Sequence, residues 1–293
     1  MRCCDERCRN AVGIEEGSPA MVVRARLIRL PMAWMVAALL SGCQGDPTVT
    51  TEPADAGADA GPQMSPTAPC KVPNADGTCA TATAPIYVNT YEQLFSFDPL
   101  SRQATLVTSF VTPIPEEMWD VAIDRDGLLF GVAESGAIYR INVGNGECAT
   151  VGMTSFSANA LAVTMDNQLA VAGSNVVQII DHESFAAVRT LVDGGPFVSS
   201  GDLVVLPDGF LYWSVMGPVD NDQLILIDPV TGGTALLGTL PASNVWGLAF
   251  ASGALFGFTA RDDFLIINPA DAAGRIGATA HSWYGATSNP LIW

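Results

Sequence analysis

The hydrophobic pattern repeats with a period near forty residues. Short apolar runs that end in an Asp or Asn turn recur as LFSFD, IYRIN, VQIID, LILID and LIIN, closing at Asp98, Asn142, Asp181, Asp228 and Asn268, with spacings of 44, 39, 47 and 40. One residue before each turn stand Phe97, Ile141, Ile180, Ile227 and Ile267, and four before stand Leu94, Ile138, Val177, Leu224 and Phe264. Both columns are apolar in every copy, whereas the position at minus three admits Tyr139 and Gln178. Fixed-period self-similarity marks a repeat architecture, and this spacing predicts packed sheet layers rather than helical faces.

A second column of turns precedes the first: Asp126-Gly127, Asp166-Asn167, Asp208-Gly209, Ser252-Gly253 and Asn289-Pro290, each between two short apolar runs, as in a hairpin. One repeat therefore reads as strand a (LVVL), turn, strand b (FLYW), loop, strand c (LILID), turn, strand d (TALLG). Four antiparallel strands in about 42 residues make one β-propeller blade. The layout over residues 85–293 resembles the broad class of propeller proteins typified by NHL, YVTN and quinoprotein-like repeats. It carries no family-specific catalytic motif.

The spacing predicts five blades with a composite closing blade. Phe130 precedes Asn142 by twelve residues and Phe256 precedes Asn268 by twelve; twelve before Asp98 is Ile86. Trp293 lies four past Asn289, as Phe130 lies four past Asp126. Residues 282–293 are thus expected to supply strand a and the start of b of the blade that residues 86–110 complete, which leaves no open sheet edge. An open solenoid or a two-sheet sandwich of the same strands is the competing arrangement. The fold class is all-β, and the expected state is a monomer.

The N-terminal third is different. From Met21 the chain reads MVVRARLIRLPMAWMVAALLSGC: three arginines, an apolar stretch, small residues and a cysteine, the layout of a secretory signal. The apolar run from Leu30 to Gly42 is 13 residues, short of the roughly 20 that span a bilayer. Leu40-Ser41-Gly42-Cys43 resembles the bacterial lipoprotein lipobox. The resemblance implies cleavage before Cys43 and acylation of it, with several acyl chains anchoring the chain stably to a bilayer. Gln44, where many inner-membrane lipoproteins carry Asp, leans the expectation toward the outer membrane or cell surface. Residues 1–20 fit neither signal nor fold, and Met21 is the expected start; Cys3, Cys4 and Cys8 would leave with the 1–42 signal region.

Residues 43–84 comprise the lipidated cysteine and a linker rich in Ala, Pro, Thr, Asp and Gly, with too few large apolar side chains to offset the entropy of ordering. It is expected to be a disordered tether. Export permits disulfides, and Cys70 and Cys79 bracket the turn-rich KVPNADGT, so these two are expected to pair, leaving Cys148 a free, buried thiol.

Charge narrows the partners. After Cys43, seven basic residues face 26 acidic ones, a balance of −19. Such a body repels phosphate backbones, which excludes nucleic acid. An envelope protein, a glycan or a small ligand remains.

In a propeller the d-to-a and b-to-c loops share one face, where ligands commonly bind. That face should gather Trp119, Asp120, Asn159, Asp202, Asn244, Trp246, His281 and Trp283, with Glu116, Glu117, Asp220, Asn221, Asp222, Arg261, Asp262 and Asp263 around them. Aromatics beside carboxylates and amides suit a sugar or a cation. The competing enzyme reading takes Asp120, Asp202 and Glu134 as channel carboxylates in a glycosidase- or lyase-like site. Asp124-Arg125-Asp126-Gly127 opens like a calcium loop, but Leu128 to Phe130 stand where ligands should be, so it reads as a hairpin turn. No Ser-His-Asp set, metal site or phosphate loop can be assembled, and no cofactor is expected.

Overall fold

The structure is a computed structural model that describes residues 85–291. Cys43, Cys70, Cys79 and the signal and linker segments lie outside the described residues.

Each repeat of the sequence forms one four-stranded antiparallel sheet. The chain enters through β1 (Ile86–Asn89), β2 (Gln93–Asp98) and β3 (Gln103–Ser109). The second blade is β4 (Met118–Ile123), β5 (Leu129–Ala133), β6 (Ala137–Ile141) and β7 (Cys148–Met153). The third is β8 (Ala160–Val163), β9 (Leu169–Gly173), β10 (Val176–Ile180) and β11 (Ala187–Asp193). The fourth is β12 (Ser199–Val205), β13 (Leu211–Val215), β14 (Gln223–Ile227) and β15 (Thr234–Thr239). The fifth is β16 (Val245–Ala251), β17 (Ala254–Thr259), β18 (Asp263–Ile267) and β19 (Gly274–Ala278). The last strand, β20 (Gly285–Ser288), returns to the first blade, whose order is β20-β1-β2-β3.

This is the composite blade the spacing predicts, with Ile86 opposite Ser288 and Asn89 opposite Gly285. Ile292 and Trp293, expected to begin strand b, fall outside the described residues. The five inner strands β4, β8, β12, β16 and β20 each lie against the next, and β20 lies against β4, so the ring is closed.

The Asp/Asn column has a local cause. Each c-to-d turn returns an amide to the carbonyl of its first residue: Arg102 to Asp98 at 2.8 Å, Gly146 to Asn142 at 2.7 Å, Phe185 to Asp181 at 2.8 Å, Gly232 to Asp228 at 2.8 Å and Ala272 to Asn268 at 2.9 Å. The Asp or Asn side chain accepts a second amide inside the turn, such as Leu100 N–H to Asp98 Oδ1 at 2.9 Å or Val230 N–H to Asp228 Oδ1 at 2.7 Å. Short acceptor side chains do this best, which is why only Asp and Asn occupy the column.

Packing follows the apolar columns. The inner two strands of every blade are sandwiched between neighbouring blades, and five apolar clusters fill the five interfaces. Trp213 of the fourth blade shares one buried cluster with Ala160, Ala170 and Ala172 of the third, small residues that suit a neighbouring indole. Phe97 meets Phe258 edge-on at 5.1 Å, which seals the first blade against the fifth. Outer strands β3, β7, β11, β15 and β19 are largely exposed. Cys148 is buried on β7, its thiol donating to Gly146 O at 3.3 Å and held protonated by burial.

Candidate functional site

The inner strands align as five pentads, WDVAI from Trp119, NALAV from Asn159, GDLVV from Gly201, WGLAF from Trp246 and YGATS from Tyr284. Their second column places Asp120, Ala160, Asp202, Gly247 and Gly285 around the axis. Inner strands present unpaired backbone amides to that axis, and buried amides require acceptors. Two carboxyl groups supply them for one such amide of each blade. Asp120 accepts from Val121 N–H at 2.7 Å and from Leu161 N–H of the next blade at 2.6 Å. Asp202 accepts from Leu203 N–H and Leu248 N–H, both at 2.5 Å, and from Ala286 N–H. One amide from every blade is thereby bound to the pair.

Both carboxyls are fully buried and hydrogen-bonded to each other, so they cannot both ionise cheaply. Burial raises Asp120 well above the carboxylate range, and the charge of Asp202 raises it further. Burial pushes Asp202 up to about 8 against the pull of the Asp120 bond and its amide donors. Asp202, with three amides to Asp120's two, is the better-stabilised anion, and Asp120 keeps the shared proton. Two carboxyls fit only because the neighbouring positions are small: a Cβ on Gly285 would lie 2.1 Å from Asp120 Oδ1.

This shared proton links stability to pH. The folded pair holds a proton that unfolded aspartates release near pH 4. Its stabilisation is complete below that pH and is lost as pH rises toward the raised titration of Asp120, which holds the proton. The depressed Asp98, Asp181 and Asp228, held down by Ser101, Ser184 and Thr231 in their turns, act with the opposite sign and only at more acid pH. Melting followed by circular dichroism should show Tm falling by about 5–10 °C from pH 5 to pH 9. Asp120→Asn, which cannot give up the proton, should flatten that slope while lowering Tm by losing one amide contact. A wild-type Tm constant across the interval would contradict a shared proton.

Asp120 and Asp202 meet at the axis, and Glu134 lies apart from them. Neither carboxyl lines any of the described pockets. Glu134 stands exposed on the loop after β5, its amide bonded to Glu117 O, and does not join the buried pair. Beyond the carboxyls the axis narrows to a 20 Å³ void among Leu161, Leu203, Leu248, Ala286 and others. Among the described residues no three His, Cys, Asp or Glu side chains are grouped to hold a metal ion.

The first pentad column, Trp119, Asn159, Gly201, Trp246 and Tyr284, rings the mouth above the pair. Bulges set two of these side chains. Pairing of β4 with β5 steps from Met118↔Ala133 to Asp120↔Val132, leaving Trp119 unpaired, and β16 likewise skips Trp246 between Val245 and Gly247. A bulge re-aims the extra residue. Trp246 lies so close over Gly201 that a Cβ there would sit 2.3 Å from its Cα.

Here opens a pocket of about 370 Å³, lined by Trp119, Asn159, Trp246, Tyr284 and Gly201, with Ser200, Met216, Gly217, Asp220, Asp222, Ser243 and Asn244 from the fourth and fifth blades. Its lining is mostly apolar. Tyr284 meets Trp246 at 5.1 Å and, tilted by 32°, Tyr91 at 3.7 Å; Tyr91, not itself a lining residue, meets Trp119 at 6.4 Å, so the four rings are continuous. Asp222 Oδ2 accepts from Ser200 Oγ at 2.6 Å and Val245 N–H at 2.8 Å, and burial raises its pKa against those two bonds. Two polar atoms of the lining, Trp119 Nε1 and Asn159 Oδ1, are shielded from water and have no protein partner.

Of the eight sequence-predicted ligand residues, Trp119, Asn159, Asn244 and Trp246 line this pocket, and Asp120 and Asp202 lie beneath it. His281 lies elsewhere, in a separate 770 Å³ cleft with Glu92, Glu116 and Glu117, its ring 5.1 Å from Phe95. Trp283 is fully buried between the first and fifth blades, where no ligand can touch it, its indole N–H donating to Thr279 Oγ1 at 3.0 Å. Tyr284, Ser200 and Met216 also line the pocket at the mouth and are not singled out by the sequence. Tyr284 was findable: it holds in YGATS the place Trp119 holds in WDVAI.

No family model and no curated protein sequence matches the chain. Among solved structures, the chain is similar to hydrazine synthase of Kuenenia stuttgartiensis, at 16% identity and a TM-score of 0.39 over 64% of this chain. It spans 59% of the length of that chain. A protein of unknown function from Bacteroides caccae is similar at 11% identity and a TM-score of 0.45, over 67% of this chain and 73% of the other. Neither likeness bears on what this five-bladed propeller binds or does.

Proposed function

We propose that the chain is an exported, lipid-anchored binding protein whose propeller offers the aromatic pocket at its axial mouth to a small ligand, a glycan or a group on an envelope protein. The observation that carries this reading is the pocket itself: it is walled by Trp119, Trp246 and Tyr284 over a floor of carboxyls already committed to backbone amides. Ligand sites are concave and mostly apolar with a few placed polar groups, which is the composition found here. Chemistry by the floor carboxyls would require breaking the bonds that hold the blades together, which disfavours the hydrolase reading.

The anchor is compatible with that site. Pro85 leaves the domain beside Ser288, at the face of the a-to-b hairpins, opposite the pocket.

Fractionation followed by pull-down of cell-envelope material tests both parts. Wild type should be recovered from membranes with an acylated N-terminal Cys43 and should retain a glycan or protein component. Cys43→Ala should move to the soluble fraction, and Trp246→Ala should stay membrane-bound but lose most of the retained component. An intact, unmodified Cys43 in the mature chain would remove the anchor, and identical retention by wild type and Trp246→Ala would remove the pocket.

A further inference from the structure

We infer that the axial pocket is a subsite for an uncharged saccharide. This rests on the reading of that pocket as a ligand site and names its ligand class.

Hydrogen-bond chemistry is the first argument. Trp119 Nε1 is a donor and Asn159 Oδ1 an acceptor, and both lack partners. A shielded polar atom left without a partner is costly, so each favours a ligand that can pair with it. A hydroxyl both donates and accepts, so neighbouring hydroxyls on one ring satisfy the two atoms together. The Asn159 amide is held only by a long contact to Ser200 O at 3.5 Å, so it can adjust to a ligand. Asp222 engages protein donors through Oδ2 alone, which leaves Oδ1 to accept a further hydroxyl proton.

Shape is the second. Trp119, Trp246 and Tyr284 present flat apolar faces around a volume of about 370 Å³. The C–H face of a pyranose packs against such rings while its edge hydroxyls reach Asn159 and Asp222.

Charge removes the alternatives. No Arg, Lys or His lines the pocket, and the region from 85 to 291 carries six arginines against 21 acids, a balance of −15. Anionic sugars, carboxylates and phosphates are repelled. An organic ammonium would be attracted to the aromatic faces, yet it has no acceptor for Trp119 Nε1–H and would leave that group unpaired.

The test uses the full chain in a detergent with neither a sugar nor an ammonium headgroup. Intrinsic tryptophan fluorescence is followed on titration with maltose, cellobiose, N,N′-diacetylchitobiose and, separately, tetramethylammonium. At least one disaccharide should give a saturable change that tetramethylammonium does not. Trp119→Phe, which keeps an aromatic face and removes the N–H, should weaken that sugar at least fivefold, and Asn159→Ala at least tenfold, with circular dichroism unchanged. A response to tetramethylammonium alone, or sugar binding indifferent to both substitutions, overturns the saccharide assignment. So does silence toward every disaccharide. If Trp246-dependent capture of envelope material survives any of these results, only the ligand class has failed; if that capture is absent as well, the binding reading fails with it.

Discussion

Asp202→Ala is expected to destroy most of the domain's stability although the residue touches no solvent and no pocket. The carboxyl takes three amides, from Leu203, Leu248 and Ala286, which belong to the fourth, fifth and first blades. Removing it leaves three donors aimed at a dry axis and deprives Asp120 of its partner. At about 1–3 kcal/mol for each unsatisfied buried donor, the loss is about 3–9 kcal/mol, comparable to the roughly 5–15 kcal/mol that holds a typical domain folded. Asp202→Asn keeps an oxygen acceptor and should lose less. Urea unfolding followed by tryptophan fluorescence measures both; a loss below about 1 kcal/mol for the alanine variant would show that the amides are satisfied some other way.

Truncation before Gly285 should have the larger effect. It removes β20, and with it the inner neighbour of β1, the cover over Ile86 and Val88, and the Thr287 hydroxyl that accepts Ile123 N–H at 3.1 Å. The ring is left open between β16 and β4, and β1 becomes a bare edge able to pair with another chain. The truncated chain should elute as aggregates on size exclusion and show no cooperative melting transition. A synthetic peptide of residues 282–293 added during refolding should restore part of the monomeric, cooperatively melting fraction. A truncated chain with the wild-type Tm would mean that β20 does not close the ring.

The repeat was legible because its cause is local. Asp98, Asn142, Asp181, Asp228 and Asn268 are fixed by bonds within their own turns, so each copy announces itself without reference to the others. Blade number and the composite closure followed from counting between such turns. The site was less legible because its causes lie across the ring. Asp120 and Asp202 stand 82 positions apart, and nothing local reveals that amides of other blades occupy their oxygens. Only in the aligned column with Ala160, Gly247 and Gly285 does the sequence show two carboxyls allotted to a space too narrow for more. Trp283 and Tyr284 mark the same limit. They are adjacent aromatics approaching β20, one turned into the interblade core and the other to the mouth, and composition favours neither. The bulges that re-aim Trp119 and Trp246 leave no signature in residue type.

The pairing of β1 with β20 also orders events in time. Ile86 and Ser288 are partners about 200 residues apart, so the first blade made is the last completed. Until β20 docks, the folding chain carries β1 with one side unpaired, and no amount of local folding can finish it. Contacts this distant in sequence form slowly. The interval between the folding of β1 and the docking of β20 is therefore when a chain of this protein is most exposed to misassembly with its neighbours, and when a chaperone holding the β1 edge would matter most.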